Sequence, residues 1–144
     1  MIVSSNVVEE KLLQKPKSLV DALTILNTDL EIDQGYAFLI QEEGIHRGQN
    51  SVLMYAGTLN IKQMERPTAP YEYYLKKLIS NLFKPFCRQA VIGVETKGFY
   101  IGGVTGFDIG LILRFERDKC KELENWHPSG NTPKEVKTLQ YIVS

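Results

Sequence analysis

The run Thr68–Arg117, TAPYEYYLKKLISNLFKPFCRQAVIGVETKGFYIGGVTGFDIGLILRFER, decides the fold class. Its first part carries Tyr71, Leu75, Leu78, Ile79 and Leu82 at i, i+4, i+7, i+8 and i+11, one apolar stripe at helical spacing. Thr68-Ala69-Pro70 places a capping residue and an early proline in front of it. Pro85 ends the helix, because proline lacks a backbone donor and its ring clashes with the preceding turn. Beyond that proline the apolar period changes from 3.6 to 2. Residues 89–101 and 107–117 read as two strands, with Gly102-Gly103-Val104-Thr105-Gly106 as the loop between them. In the second strand Ile109, Leu111, Leu113 and Phe115 share one face, and Gly110, Ile112, Arg114 and Glu116 share the other.

Upstream, Asn6 and Glu9 have capping-box spacing for a helix that starts at Val7 and stops before Pro16. Ser18 and Asp21 repeat the pattern, with Leu19, Ala22, Leu23 and Leu26 as the buried stripe and Asn27 as the stop. Leu30 and Ile32 alternate with Asp29, Glu31 and Asp33, which predicts an extended stretch with one wet face, interrupted by Gly35. Tyr36–Gln41 reads as a buried strand and 43–50 as a polar loop. Ser51–Gln63 is a second strand, in which Gly57 predicts a bulge or bend. Lys119–Trp126 reads as a short helical turn, His127–Pro133 as a loop, and Val136–Val143 as a last strand or tail. The order α-α-β-β-α-β-β-(β) keeps strands in hairpins and helices in blocks. It predicts an α+β fold: an antiparallel or mixed sheet of two β-hairpins, packed by one long amphipathic helix, with short N-terminal helices. Residues 1–144 read as a single domain, with 135–144 as an assembly tail.

Composition narrows the function classes. A chain of 144 residues that is 43% hydrophobic and 10% aromatic can build its own core and is not of the disordered type. Lys+Arg 17 balance Asp+Glu 17, so the basic excess that drives phosphate binding is missing. Lys76, Lys77, Lys84 and Arg88 beside Tyr73 and Tyr74 then read as the solvated face of the long helix, and sequence-specific nucleic-acid binding is not expected. No run approaches the ~20 apolar residues that span a bilayer, so no membrane partner is expected. The opening MIVSSNVVEEKLL has no basic n-region and does not read as a secretory signal, which predicts cytoplasmic synthesis.

Gly93, Gly98, Gly102, Gly103, Gly106 and Gly110 could cradle phosphate, but Gly102-Gly103 is followed by Val104 where a Walker loop needs Lys and a hydroxyl. Asp29, Glu31 and Asp33 miss the calcium-loop pattern, since Gln34 and Ile40 stand where glycine and glutamate belong. Cys87, Cys120, His46 and His127 lack zinc-ligand spacing. No nucleophile elbow occurs. A Cys120–His127 pair and the carboxylates Glu42-Glu43 or Asp108 with Glu116 are formal acid–base candidates without a supporting pattern. No catalytic residue, metal or cofactor is expected.

The segments Tyr36–Gln41, Ser51–Gln63, the helix Tyr71–Phe83 and the hairpin around Gly102–Gly106 carry a resemblance in order and length. An opening helix, a hairpin, a long helix, a second hairpin and a tail resembles bacteriophage tail-terminator or tail-completion proteins. That resemblance implies a non-catalytic ring subunit of a virion, a tail-terminator or neck-type protein, partnered by itself and by other assembly proteins. It carries over no functional residue. From the residues themselves, the tail alternates, with Leu139, Tyr141 and Val143 on one side. It is expected to add to a neighbour's sheet edge, with both terminal segments ordered by such contacts. The alternative reading is a small-ligand- or phosphate-binding enzyme, or a sequestering protein, with its site at Gly102, Gly103, Gly106, Asp108 and Arg114.

Overall fold

The computed structural model describes residues 2–43, 50–62, 69–97, 102–123, 126 and 136–142, the side chains of 41–43, 120 and 136–142 excepted. The fold is α+β. Strands β2 (Asp33–Glu43), β3 (Asn50–Lys62), β4 (Gln89–Thr96), β5 (Val104–Glu116) and β6 (Val136–Ile142) form a mixed sheet in the order β4-β5-β3-β2-β6. A two-residue strand, β1 (Val3–Ser4), pairs with β3 in parallel at Ile61 and Lys62. The expected hairpins are present as the antiparallel pairs β2–β3 and β4–β5, and the two are joined by antiparallel pairing of β3 with β5. The first hairpin strand of the pair, β4, is shorter than its sequence pattern, and β5 starts earlier, at Val104.

Helix α3 (Ala69–Phe83) covers one face of the sheet: Leu75, Leu78, Ile79 and Leu82 of the expected stripe are buried, Tyr71 is half-buried, and Phe83 joins them inside. Tyr71 meets Phe107 of β5 with ring centroids 5.6 Å apart, and Glu72 accepts the Thr96 N–H at 3.3 Å. Those two contacts fix the start of the helix against the β4–β5 hairpin. Under the helix, Phe107, Ile109, Leu111, Leu113 and Phe115 of β5 join Leu53, Tyr55, Leu59 and Ile61 of β3 in one core.

The N-terminal helices α1 (Ser5–Leu12) and α2 (Leu19–Thr24) complete this layer. Ser18 caps α2, with Asp21 N–H donating to its hydroxyl at 3.0 Å. The cap of α1 is Ser4, not Asn6: Val7 N–H donates to the Ser4 hydroxyl at 3.3 Å. Pairing of Val3 and Ser4 with β3 leaves Ser4 extended where the helix begins, and a capping residue needs that backbone. Asn27 does not stop α2. The helix widens into a π-type turn, Ile25–Asp29, which keeps Leu26 and Asn27 inward. The stretch that follows is not a strand. Leu30 and Ile32 are buried between half-buried Asp29, Glu31 and Asp33, as their alternation predicts, but the backbone is not extended: Glu31 turns the chain at φ 54 and Gln34 turns it again at φ 58. The irregularity in β2 therefore lies between Asp33 and Tyr36, and Gly35 sits inside the strand.

The bulge expected at Gly57 lies across from it: the extra residue is on β2, between Asp33 and Tyr36, and Gly57 itself stays in line on β3. It holds its register opposite Ile109, and a Cβ there would overlap the Ile32 side chain. The helical turn after β5 spans Arg117–Leu123, earlier than its sequence pattern. Leu123 and Trp126 bury in the helix-side core, so the chain leaves β5 on that side of the sheet. It returns as β6, parallel to β2, with Ala37 opposite Val136 and Glu43 opposite Ile142. No helix of the described residues is long and apolar enough to cross a membrane.

Candidate docking face

The sheet has a second face, and no described helix lies on it. Because side chains alternate along a strand, each ladder of paired residues forms a row across this face. One row is Gly93–Gly110–Ala56–Tyr36 and the next is Val91–Ile112–Met54–Phe38. Outside them run Glu95–Asp108–Thr58 at one end and Gln89–Arg114–Val52–Ile40 at the other. Val91, Ile112 and Met54 are 49%, 45% and 40% exposed, and Tyr36 is 36% exposed. These four adjoin one another, whereas a monomer normally scatters its exposed apolar side chains. Tyr36 and Phe38 stack edge to face at 4.6 Å. The glycine row leaves a furrow in the plate, an open concavity of about 480 Å³ walled by Tyr36, Phe38, Met54, Val91 and Ile112.

Among the described residues nothing near the two glycines in the furrow requires them. A Cβ at Gly110 would meet nothing within 4 Å, and one at Gly93 would meet only the Gly110 carbonyl oxygen, at 4.0 Å. Neither has positive φ. Glycine in a strand interior weakens the strand, and it often marks a place where something approaches the backbone closely.

The ends of the plate are charged. At one end Asp108 accepts from the Thr58 hydroxyl at 3.0 Å, with Glu95 paired to it in register. At the other, Arg114 Nη1 donates to Gln89 Oε1 at 3.1 Å, and Arg88 pairs with Glu116 at 3.1 Å.

The residues named for a ligand site are spread out. Gly102 and Gly103 lie in the turn before β5 at φ 59 and 82, as the loop reading expects. Gly106 is on β5, where a Cβ would press on Asn60 at 3.2 Å. Asp108 and Arg114 are on the open face, six residues apart along one strand, or roughly 20 Å. The structure does not bring these five together. Of the tail residues, Leu139 and Tyr141 lie in β6, in register with Ile40 and Glu42 of the same chain. Val143 falls outside the described residues.

Tyr73 and Tyr74 are exposed on α3 with Lys76 and Lys77, on the helix face turned away from the core. Burial pushes the Cys87 thiol up to about 11, with Lys119 opposing, so it stays protonated at neutral pH and is a poor nucleophile. His46, His127 and the side chain of Cys120 are outside the described residues. Among the described residues, no three of His, Cys, Asp and Glu gather as metal ligands would.

The open face was not recognised as a site from the sequence, although its signal is there. Ile112 between Gly110 and Arg114 puts a large apolar group on the strand face that also carries Arg114 and Glu116, and Val91, Met54 and Tyr36 lie exposed beside it on their own strands. The strand pairing that gathers them is long-range and has no local signature.

No protein-family model matches the chain, and no curated protein or solved structure matches it.

Proposed function

We propose that this protein is a non-catalytic assembly subunit that works by docking its surfaces onto other protein chains. The observation that carries the reading is the open apolar face of the sheet. Contiguous Val91, Ile112, Met54 and Tyr36 cost free energy in water and gain it when covered. The glycine furrow argues for a close-packed cover in the same place.

The setting we propose is a phage tail-terminator or neck-type ring, with the virion as its place of action and cytoplasmic synthesis before it. The two edges of the sheet support a ring. The plate ends in β4 on one side and β6 on the other, each with a single strand partner among the described residues. An edge-to-edge contact from β6 of one subunit to β4 of the next is head-to-tail, the kind of contact that closes into rings. In this arrangement Leu139 and Tyr141 lie on the contacting strand.

The test is native mass spectrometry and electron microscopy of the full chain over a wide concentration range. A discrete oligomer supports the assembly reading, and closed rings support its setting. A chain that stays monomeric throughout and turns over a small molecule held in the furrow overturns the reading in favour of a ligand-binding enzyme.

A further inference from the structure

We infer that the occupant of the open face is a second copy of this chain, packed face to face about a two-fold axis. The inference rests on the assembly reading and names the partner of that face. The axis lies in the plane of the interface, perpendicular to the strands and midway between the Gly93–Gly110 row and the Val91–Ile112 row.

The order of the rows points to this axis. Along β5 the face runs acidic, small, large, basic; β4 follows it to the third position, and β3 repeats only the small-to-large step, Ala56 then Met54. On β5 these are Asp108, Gly110, Ile112 and Arg114. On β4 they are Glu95, Gly93, Val91 and Gln89, where a neutral amide ends the series. A half-turn about the proposed axis reverses the strand direction and keeps the strand order. It lays Gly110 on the second copy's Ile112, Gly93 on its Val91, and Ala56 on its Met54. On β5, β4 and β3 each large side chain then faces a position with little or no side chain, as close-packed sheets require, while on β2 Tyr36 meets the second copy's Phe38, ring against ring. The same operation sets Asp108 against the second copy's Arg114, twice, because an isologous contact repeats every pair. The register would be disfavoured without that opposition, since a translation or parallel stacking puts acidic row on acidic row.

The area is adequate. Four strands ~4.8 Å apart and seven residues at ~3.4 Å give a plate of roughly 19 by 24 Å, about 900 Å² of flat projection for two copies. Corrugated side-chain surface exceeds its projection, and a specific interface needs about 1,000 Å² or more in total. A segment of the chain itself is a poorer cover: after β5 the chain packs Leu123 and Trp126 on the opposite, helix side.

The experiment uses the full chain and follows the dimer dissociation constant by light scattering and native mass spectrometry, with circular dichroism as the folding control. Asp108→Arg and Arg114→Asp should each weaken the dimer roughly tenfold or more, and the double variant should recover most of the loss, because it restores opposite charges across the axis. Gly110→Ala should fold normally, since its Cβ meets nothing within 4 Å among the described residues, and should weaken the dimer by filling the furrow. Single variants that leave the wild-type assembly intact overturn the face-to-face contact and leave the assembly reading standing on the sheet edges. Weakening by both single variants without recovery in the double overturns the two-fold register. A wild-type chain that is monomeric at all concentrations overturns the inference, and the assembly reading falls as well only when it also turns over a ligand held in the furrow.

Discussion

The Tyr55 hydroxyl, on the core face of β3, donates a hydrogen bond to Asn27 Oδ1 at the π-type turn. Asn27 is fully buried and Tyr55 is 3% exposed, so the bond is sealed from water. It joins the N-terminal helical layer to the centre of the sheet. Wherever a buried acceptor loses a donor it carries a desolvation cost, so Tyr55→Phe should destabilise the fold by about 1–2 kcal/mol in urea denaturation. Unchanged stability would mean that the turn is held by apolar packing alone.

Stability should also fall at alkaline pH. Burial pushes the Tyr55 phenol well above its usual range. Tyr71 is pushed up to about 12, by burial first and then by Glu9 and Tyr74. In the unfolded chain both titrate near their ordinary value of about 10. Below pH 10 both states keep the proton, and the tyrosines cause no pH dependence. Above it the unfolded state loses protons first, ν_U falls below ν_N, and stability declines as pH rises. For Tyr71 the window is pH 10 to about 12. Chemical denaturation at pH 9 and pH 11 should show the decline, and Tyr55→Phe should shrink it.

The sequence period was informative wherever one element packs on one face. The stripe of α3 from Leu75 to Leu82 and the alternation of β5 from Ile109 to Phe115 are local patterns, and the structure buries both sets. Element ends were less legible, since they depend on distant pairing. Ser4 became the helix cap only because β3 captures Val3 and Ser4. Leu30 and Ile32 share a side in sequence alternation and are buried, but on a turn at Glu31 and not on extended backbone. Gly57 reads as a bulge, but the extra residue is across from it on β2, and Ile32, 25 positions earlier, lies against Gly57 itself. The open face was hidden for the same reason: Val91, Ile112, Met54 and Tyr36 come from four strands and meet only through the register.

Truncation of the α3 stripe should be costly. Ile79 is fully buried between the helix and the sheet, and Leu78 is 7% exposed beside it. Ile79→Ala should cost about 2–5 kcal/mol, the transfer loss plus the cavity left behind. Leu78→Ala should fall toward the lower end of that range, since solvent reaches part of its site. Equal, small losses in both would show that the helix packs loosely.

Two alanine substitutions for glycine in the same sheet should have opposite effects on the isolated chain. At Gly57 the new methyl overlaps Ile32, whose own burial leaves it little room to move. Gly57→Ala should therefore destabilise by about 1–3 kcal/mol, as overpacking does. Shortening the obstructing side chain in the double variant Gly57→Ala/Ile32→Ala should cost less than the two single losses added, because the two sites share one space. At Gly110 the methyl enters open space on the other face, and alanine restricts the unfolded chain more than glycine does. Gly110→Ala should stabilise the monomer by roughly 0.5–1 kcal/mol at concentrations below any self-association. Thermal melts of Gly57→Ala, Ile32→Ala, their double variant and Gly110→Ala at low concentration give the comparison. A loss at Gly110 as large as that at Gly57 would mean that the furrow is closed from within the chain, and the open face would then not be the surface through which this protein works.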